Sequence, residues 1–221
     1  MKYPIVLVLL LTITNVSFCQ LTVTARAGIN ISHMQRPKPE GVAVRQDNQV
    51  VHIGYHAGAS VALPVSKNLS IQTGLFYSLK GLRDTTHLSS WSLGGPAYYK
   101  GYGYNFHYLE LPVLIKAKLS DYIHLGVGPS LSYLVQVDEF LDEKKIGKRD
   151  LQLSKMDYGI VGELSYTKKR FEMGARYSYS LSSVRYERIG SNDPEFYNPY
   201  VEESIGKNRS VQFYVGYALI K

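Results

Sequence analysis

The sequence predicts an all-β fold, a transmembrane up-and-down antiparallel β-barrel of about eight strands. Three observations predict it. Hydropathy alternates with period two in eight segments, long and short connections alternate between those segments, and the polar face, taken over all the segments, is mostly Gly, Ser, Thr and Asn.

The chain has 221 residues, 45% of them hydrophobic, which suits one domain. Residues 1–19 read as a cleaved secretory signal, leaving 20–221 as the barrel domain. Lys2 precedes a short apolar run, Ile5 to Leu11, too short for a membrane-spanning helix. Ser17 and Cys19 stand at −3 and −1 of a cut before Gln20. A lipoprotein reading of Cys19 competes with this, although Phe18 occupies a position where a small residue is expected. After the cut no cysteine remains, so neither disulfides nor thiol chemistry are available. Loss of Lys2 lowers the net charge from +7 to +6. With an export signal, this basic balance points to acidic lipid headgroups rather than nucleic acid.

The strands follow in order. Leu21, Val23, Ala25, Ala27, Ile29 and Ile31 alternate with Thr22, Thr24, Arg26, Gly28 and Asn30. The second runs from Val51 to Leu63 and opposes His52, Gly54, His56, Gly58 and Ser60 to its apolar face. The third, Leu69 to Leu79, opposes Ser70, Gln72, Gly74 and Ser78. The fourth, Leu109 to Leu119, opposes Glu110, Pro112, Lys116 and Lys118. The fifth, Ile123 to Val135, opposes His124, Gly126, Gly128, Ser130 and Ser132. The sixth, near Tyr158 to Tyr166, opposes Asp157, Gly159, Glu163 and Ser165. The seventh, Phe171 to Leu181, opposes Arg170, Glu172, Gly174, Arg176 and Ser178. The eighth, Val211 to Leu219, opposes Gln212, Gly216 and Ala218. Such lengths match the roughly 9–11 residues of a tilted membrane-crossing strand.

Long connections are expected at 33–50, 81–103, 137–156 and 183–209, and short ones at 64–68, 120–122 and 168–169. Outer-membrane barrels have short periplasmic turns and long outer loops, so both termini are expected in the periplasm. A soluble lipocalin-like barrel has the same period but an apolar inside. Gly, Ser, Thr and Asn on the polar face suit a narrow lumen, and aromatic residues near the strand ends suit interfacial girdles. Pro112 and Pro129 fall inside strands, where each removes a ladder donor, so bulges are expected beside them.

The stretch Tyr108-Leu109-Glu110-Leu111-Pro112-Val113-Leu114-Ile115-Lys116 resembles a strand of the bacterial outer-membrane β-barrel domain family often labelled porin-family, which includes PorT-like proteins. Gly126-Val127-Gly128-Pro129-Ser130-Leu131-Ser132-Tyr133, Gly74-Leu75-Phe76-Tyr77-Ser78 and Lys80-Gly81 resemble two more of its strands. The resemblance covers Leu21 to Lys221 and implies an integral outer-membrane barrel, whose members mostly lack a known activity. PorT-like members take part in type IX secretion and gliding, and no motif here assigns the chain to them.

Chemistry-bearing residues have bland readings beside sharp ones. His52 and His56 would lie roughly 13 Å apart on a strand, too far to share a metal, and read as lumen filling. Glu163, Glu172 and Arg176 point inward. With a turn at Lys168-Lys169, Glu163 is expected diagonal to Glu172 and Arg176, in a lumen charge network with Arg26 and Glu110. Gly126-Val127-Gly128 opens no helix and is no phosphate loop. Asp193, Glu195, Glu202 and Glu203 lack the spacing of a calcium loop. Trp91, Tyr98, Tyr99, Tyr102 and Tyr104, among glycines, read as an extracellular binding loop, with packing on the barrel rim as the alternative. Lys144, Lys145, Lys148 and Arg149 read either as contacts for lipopolysaccharide phosphates or as an ordinary solvated loop.

No outward strand position named above is a His, Asp or Glu, so lipid-modifying catalysis is not expected. The expectation is therefore a monomeric, non-enzymatic barrel without cofactor or metal. Its partners are outer-membrane lipids and lipopolysaccharide, and a protein partner engaged through the loops. Its role is structural or loop-mediated binding. The alternatives are a type IX secretion accessory and a narrow passive pore.

Overall fold

The computed structural model describes residues 21–35, 49–90, 97–141, 144–148, 155–188 and 201–220. The signal segment at 1–19, Trp91, Arg149, Asp193 and Glu195 lie outside the described residues.

The strands are β1 (Thr22–Gln35), β2 (Gln49–Val50), β3 (His52–Pro64), β4 (Leu69–Ser90), β5 (Ala97–Lys118), β6 (Ile123–Leu141), β7 (Lys144–Lys148), β8 (Met156–Lys168), β9 (Phe171–Ser180), β10 (Val184–Arg188) and β11 (Val201–Ile220). Eight of them, β1, β3, β4, β5, β6, β8, β9 and β11, pair antiparallel in chain order, and β1 pairs with β11 to close the barrel. The short strands β2, β7 and β10 pair with β4, β6 and β11 and extend the wall at one end. Both described ends of the chain meet at the other, where Val23 faces Ile220.

Burial is inverted relative to a soluble protein. Ile53, Phe171 and Val215 on the outer face are 71%, 67% and 65% exposed, while Arg26 and Glu163 inside are 4% and 1% exposed. A broad apolar band around a charged interior is stable only when hydrocarbon surrounds it. The membrane-barrel expectation therefore holds and the lipocalin-like one fails.

Two short turns share one design. Ser66 and Ser120 each accept, on Oγ, the backbone N–H of the residues two and three positions on, at 3.1–3.4 Å. In the second, Lys118 Nζ lies 2.9 Å from Asp121 Oδ1, and that hydrogen bond holds the exposed carboxyl below its ordinary range. The third turn is Lys169-Arg170, one residue later than expected, with Lys169 in the left-handed region at φ 56°. This shift moves the β8–β9 register by two. Glu172 faces Thr167 rather than Ser165, and Glu163 stands directly opposite Arg176 instead of diagonal to it.

Two further expectations are corrected. No register shift flanks either proline: Pro112 faces Ser130, and Ile115 faces Val127 in the same register. Thr73 Oγ1 donates instead to the Pro112 carbonyl at 3.0 Å. The strands also run past the expected loop boundaries, with β4 and β5 paired out to Ser90 and Ala97. Tyr98, Tyr99, Tyr102 and Tyr104 thus lie on a strand rather than a loop. The period of two faded there because its sense changes. Beyond Leu79, apolar side chains at Leu82 and Phe106 turn inward.

Candidate functional site

The lumen is filled in tiers. Nearest the short turns, Arg26 on β1 donates from Nε and Nη2 to both oxygens of Glu172, at 2.9 and 2.8 Å. It also donates to Glu163 at 3.2 Å and to Gln72 at 2.9 Å. Arg176 grips Glu163 from the neighbouring strand, at 3.0 and 2.7 Å. Lys116 lies 3.0 Å from Glu163 and 3.1 Å from Glu172, and donates to Ser165. Phe76 and Tyr214 flank the guanidinium groups. Arg26 lies 4.7 Å from the Tyr214 ring centre and Arg176 4.9 Å from that of Phe76. Room for the Tyr214 ring comes from glycines on both neighbouring strands, since Tyr214 pairs with Gly28 and Gly174. A Cβ on Gly174 would meet the Tyr214 ring at 2.6 Å.

One step further, Glu110 is bound by Lys80 at 2.5 Å and by Gln212 at 3.3 Å. Glu110 is thus buried as expected but does not join Arg26. At the far end Met34, Leu82, Phe106, Tyr108, Leu134 and Val137 form a buried apolar cluster, with Tyr104 packed against it. The bland reading of Tyr104, packing at the rim, is the one observed. Beside this cluster Asp157 accepts from Ser180, Ser182 and Asn208, and Asn208 also donates to Tyr108.

The sequence reading missed Lys80, Lys116, Phe76 and Tyr214 as parts of this plug. The strand period carried the signal. Tyr214 lies between inward Gln212 and Gly216, and Phe76 between inward Gly74 and Ser78. The reading followed small polar residues and passed over large ones of the same parity.

His52 and His56 on β3 are both buried in the lumen. His56 Nδ1 lies 2.6 Å from Asn30 Oδ1. Asn30, fully buried, donates from Nδ2 to Ser78 Oγ and to the carbonyls of Tyr55 and Leu79. These two carbonyls lie just where the β3–β4 ladder stops, at His56 and Ser78. Ser32 Oγ does the same one step up, donating to the His52 and Gly81 carbonyls and accepting the Gly81 N–H at 3.1 Å. Two β1 side chains therefore satisfy backbone groups that the interrupted ladder leaves open.

The outer face is not free of acid and histidine, which removes the premise on which catalysis was discounted. On β6 one extra residue, Val135, enters between the pairs His107–Gln136 and Tyr108–Leu134. A bulge of this kind reverses which face later side chains take. Val137 turns inward, and Asp138 joins His107 outside. His107 lies between the Tyr77 hydroxyl and Asp138, at 3.2 Å from the latter. Gln136 and Lys145 donate to the two Asp138 oxygens at 2.7 and 2.6 Å. Lys145 is thereby an ion-pair partner on β7, with its side chain still 44% exposed to solvent.

A family model described as outer membrane protein beta-barrel domain matches residues 18–185. No curated protein sequence matches. Among solved structures, the chain resembles Ail, the attachment invasion locus protein of Yersinia pestis, at 13% identity and TM-score 0.45, covering 90% of this chain and 99% of that one. Neisserial surface protein A gives 12% identity and TM-score 0.46, with 89% and 96% covered. Outer membrane protein W of E. coli gives 11% and 0.39, with 90% and 98% covered.

Proposed function

We propose, since the chain belongs to the outer membrane protein β-barrel domain family, that it is a closed, non-catalytic, monomeric barrel that stabilises the envelope and presents its long connections to a partner outside the cell. The bacterial outer membrane is its setting. The observation that carries the reading is the lumen. Four cations, Arg26, Lys80, Lys116 and Arg176, and three carboxylates, Glu110, Glu163 and Glu172, are all buried there beneath an apolar cap. An eight-stranded barrel is only wide enough to be filled by such side chains.

Planar bilayers test the plug. The refolded protein is expected to give rare, small openings. A steady conductance that admits sugars would overturn the reading in favour of a passive pore.

Orientation is a separate expectation. The short turns lie in the periplasm and β7 outside, in keeping with the usual asymmetry of such barrels. A single cysteine replacing Lys144 should react with an impermeant reagent on intact cells, and one replacing Asp121 only after the outer membrane is opened. The reverse pattern would invert the barrel.

A further inference from the structure

The apolar outer band ends abruptly on two adjacent strands. Outward positions from Val23 to Ile31 on β1 and from Leu219 to Val211 on β11 are all apolar. About nine residues is what a tilted strand needs to cross hydrocarbon. The next outward residue is His33 on one strand and Arg209 on the other, and the two are directly paired. Lys207 follows Arg209 on the same face, opposite Gln35. These basic groups therefore stand where hydrocarbon gives way to headgroups, on the side away from the short turns.

Arg209 is held but not satisfied. Its guanidinium carbon lies 5.0 Å from the ring centre of Tyr179, its pair on β9. That ring covers one face of the guanidinium. Its Nε is buried and has no hydrogen-bond partner among the described residues. Buried charged donors are normally matched by an acceptor. Among the described residues no carboxylate forms an ion pair with Arg209, His33 or Lys207. The contrast with Lys145 is direct, since that rim cation has Asp138 at 2.6 Å.

We infer that Arg209, with His33 and Lys207, forms a site for a lipid-borne phosphate at the membrane edge away from the short turns. A guanidinium offers two parallel N–H donors that match a phosphate, and it does so best at a partly desolvated edge. A lipid is the source because the site faces outward at the level where the apolar wall stops, and headgroups are what lies against it there. The site deepens the proposed membrane setting, and orientation decides only which leaflet supplies the lipid.

The test uses the full chain refolded into dodecyl maltoside micelles, with heat-modifiable gel migration as the measure of folded protein. The probes are diphosphorylated lipid A, the same lipid stripped of phosphate, and inorganic phosphate. Diphosphorylated lipid A should raise the unfolding midpoint by roughly 5 °C, and the other two should leave it unchanged. Arg209→Gln should abolish most of that rise, and so should the His33→Gln/Lys207→Gln double variant, which serves if Arg209→Gln folds poorly. Lys168→Gln, at the opposite rim, should keep the rise. An equal rise with stripped lipid A, or a full rise in both site variants, would overturn the site. An equal rise with inorganic phosphate would overturn the lipid as its source. Micelles present both rims alike, so an inverted labelling pattern on cells changes the leaflet without touching this result.

Discussion

Glu163→Gln is expected to cost the barrel about 3–5 kcal/mol, the range seen when one partner of a buried ion pair is removed. Three cations converge on this one side chain. Arg176 lies at 2.7 Å, Lys116 at 3.0 Å and Arg26 at 3.2 Å, all nearly inaccessible to water. Glutamine keeps the volume and one acceptor oxygen but removes the charge, leaving Glu172 alone against three positive groups in the lower tier. The loss should be partly reversed in Glu163→Gln/Arg176→Gln, because that pair is directly cross-strand and both changes remove charge of opposite sign. Urea titration of these two variants and of Arg176→Gln, refolded in micelles and read by heat-modifiable migration, gives all three terms of the cycle. Additive losses in the double variant would mean that the lumen charges are screened by water and do not act as a plug.

That network also marks how far the sequence could be read. The wall was legible: the period of two, imposed by hydrocarbon on one side and a polar lumen on the other, placed Arg26, Glu110, Glu163, Glu172 and Arg176 inside. Their pairing was less so, because register depends on turn geometry. Moving the turn from Lys168-Lys169 to Lys169-Arg170 brings Glu163 face to face with Arg176. Lengths failed where the bilayer constraint ends. Past Leu79 and before Leu109 nothing requires an apolar outside, and Leu82, Phe106 and Tyr108 turn inward to make the cap. The outer relay was hidden by the Val135 bulge, since counting by twos from Tyr133 puts Gln136 and Asp138 inside. No local signal in the sequence announces such a bulge.

Ala27 and the adjacent Gly28 should respond in opposite ways to the same replacements. Ala27 lies on the outer face, paired with Ala57 and Val215 near the middle of the apolar band. Ala27→Arg should cost about 2–4 kcal/mol, since hydrocarbon solvates a guanidinium poorly at that depth. Ala27→Leu should be nearly neutral, because it adds only apolar surface against lipid. At Gly28 size matters before polarity. A Cβ there would lie 1.9 Å from the Phe213 carbonyl oxygen, 2.7 Å from the Tyr214 Cα and 2.8 Å from the His56 ring. The first two contacts are backbone and cannot be relieved by a rotamer change, so the β1–β11 closure itself would have to open. Gly28→Ala should therefore already lower the folded yield, and Gly28→Leu should abolish refolding, whereas overpacking in an ordinary core costs about 1–3 kcal/mol. Refolding yields of Ala27→Arg, Ala27→Leu, Gly28→Ala and Gly28→Leu in the same micelles measure this order. A Gly28→Leu variant that folds like the parent while Ala27→Leu fails would place the tight seam on the outside and remove the packed lumen on which the closed-barrel reading depends.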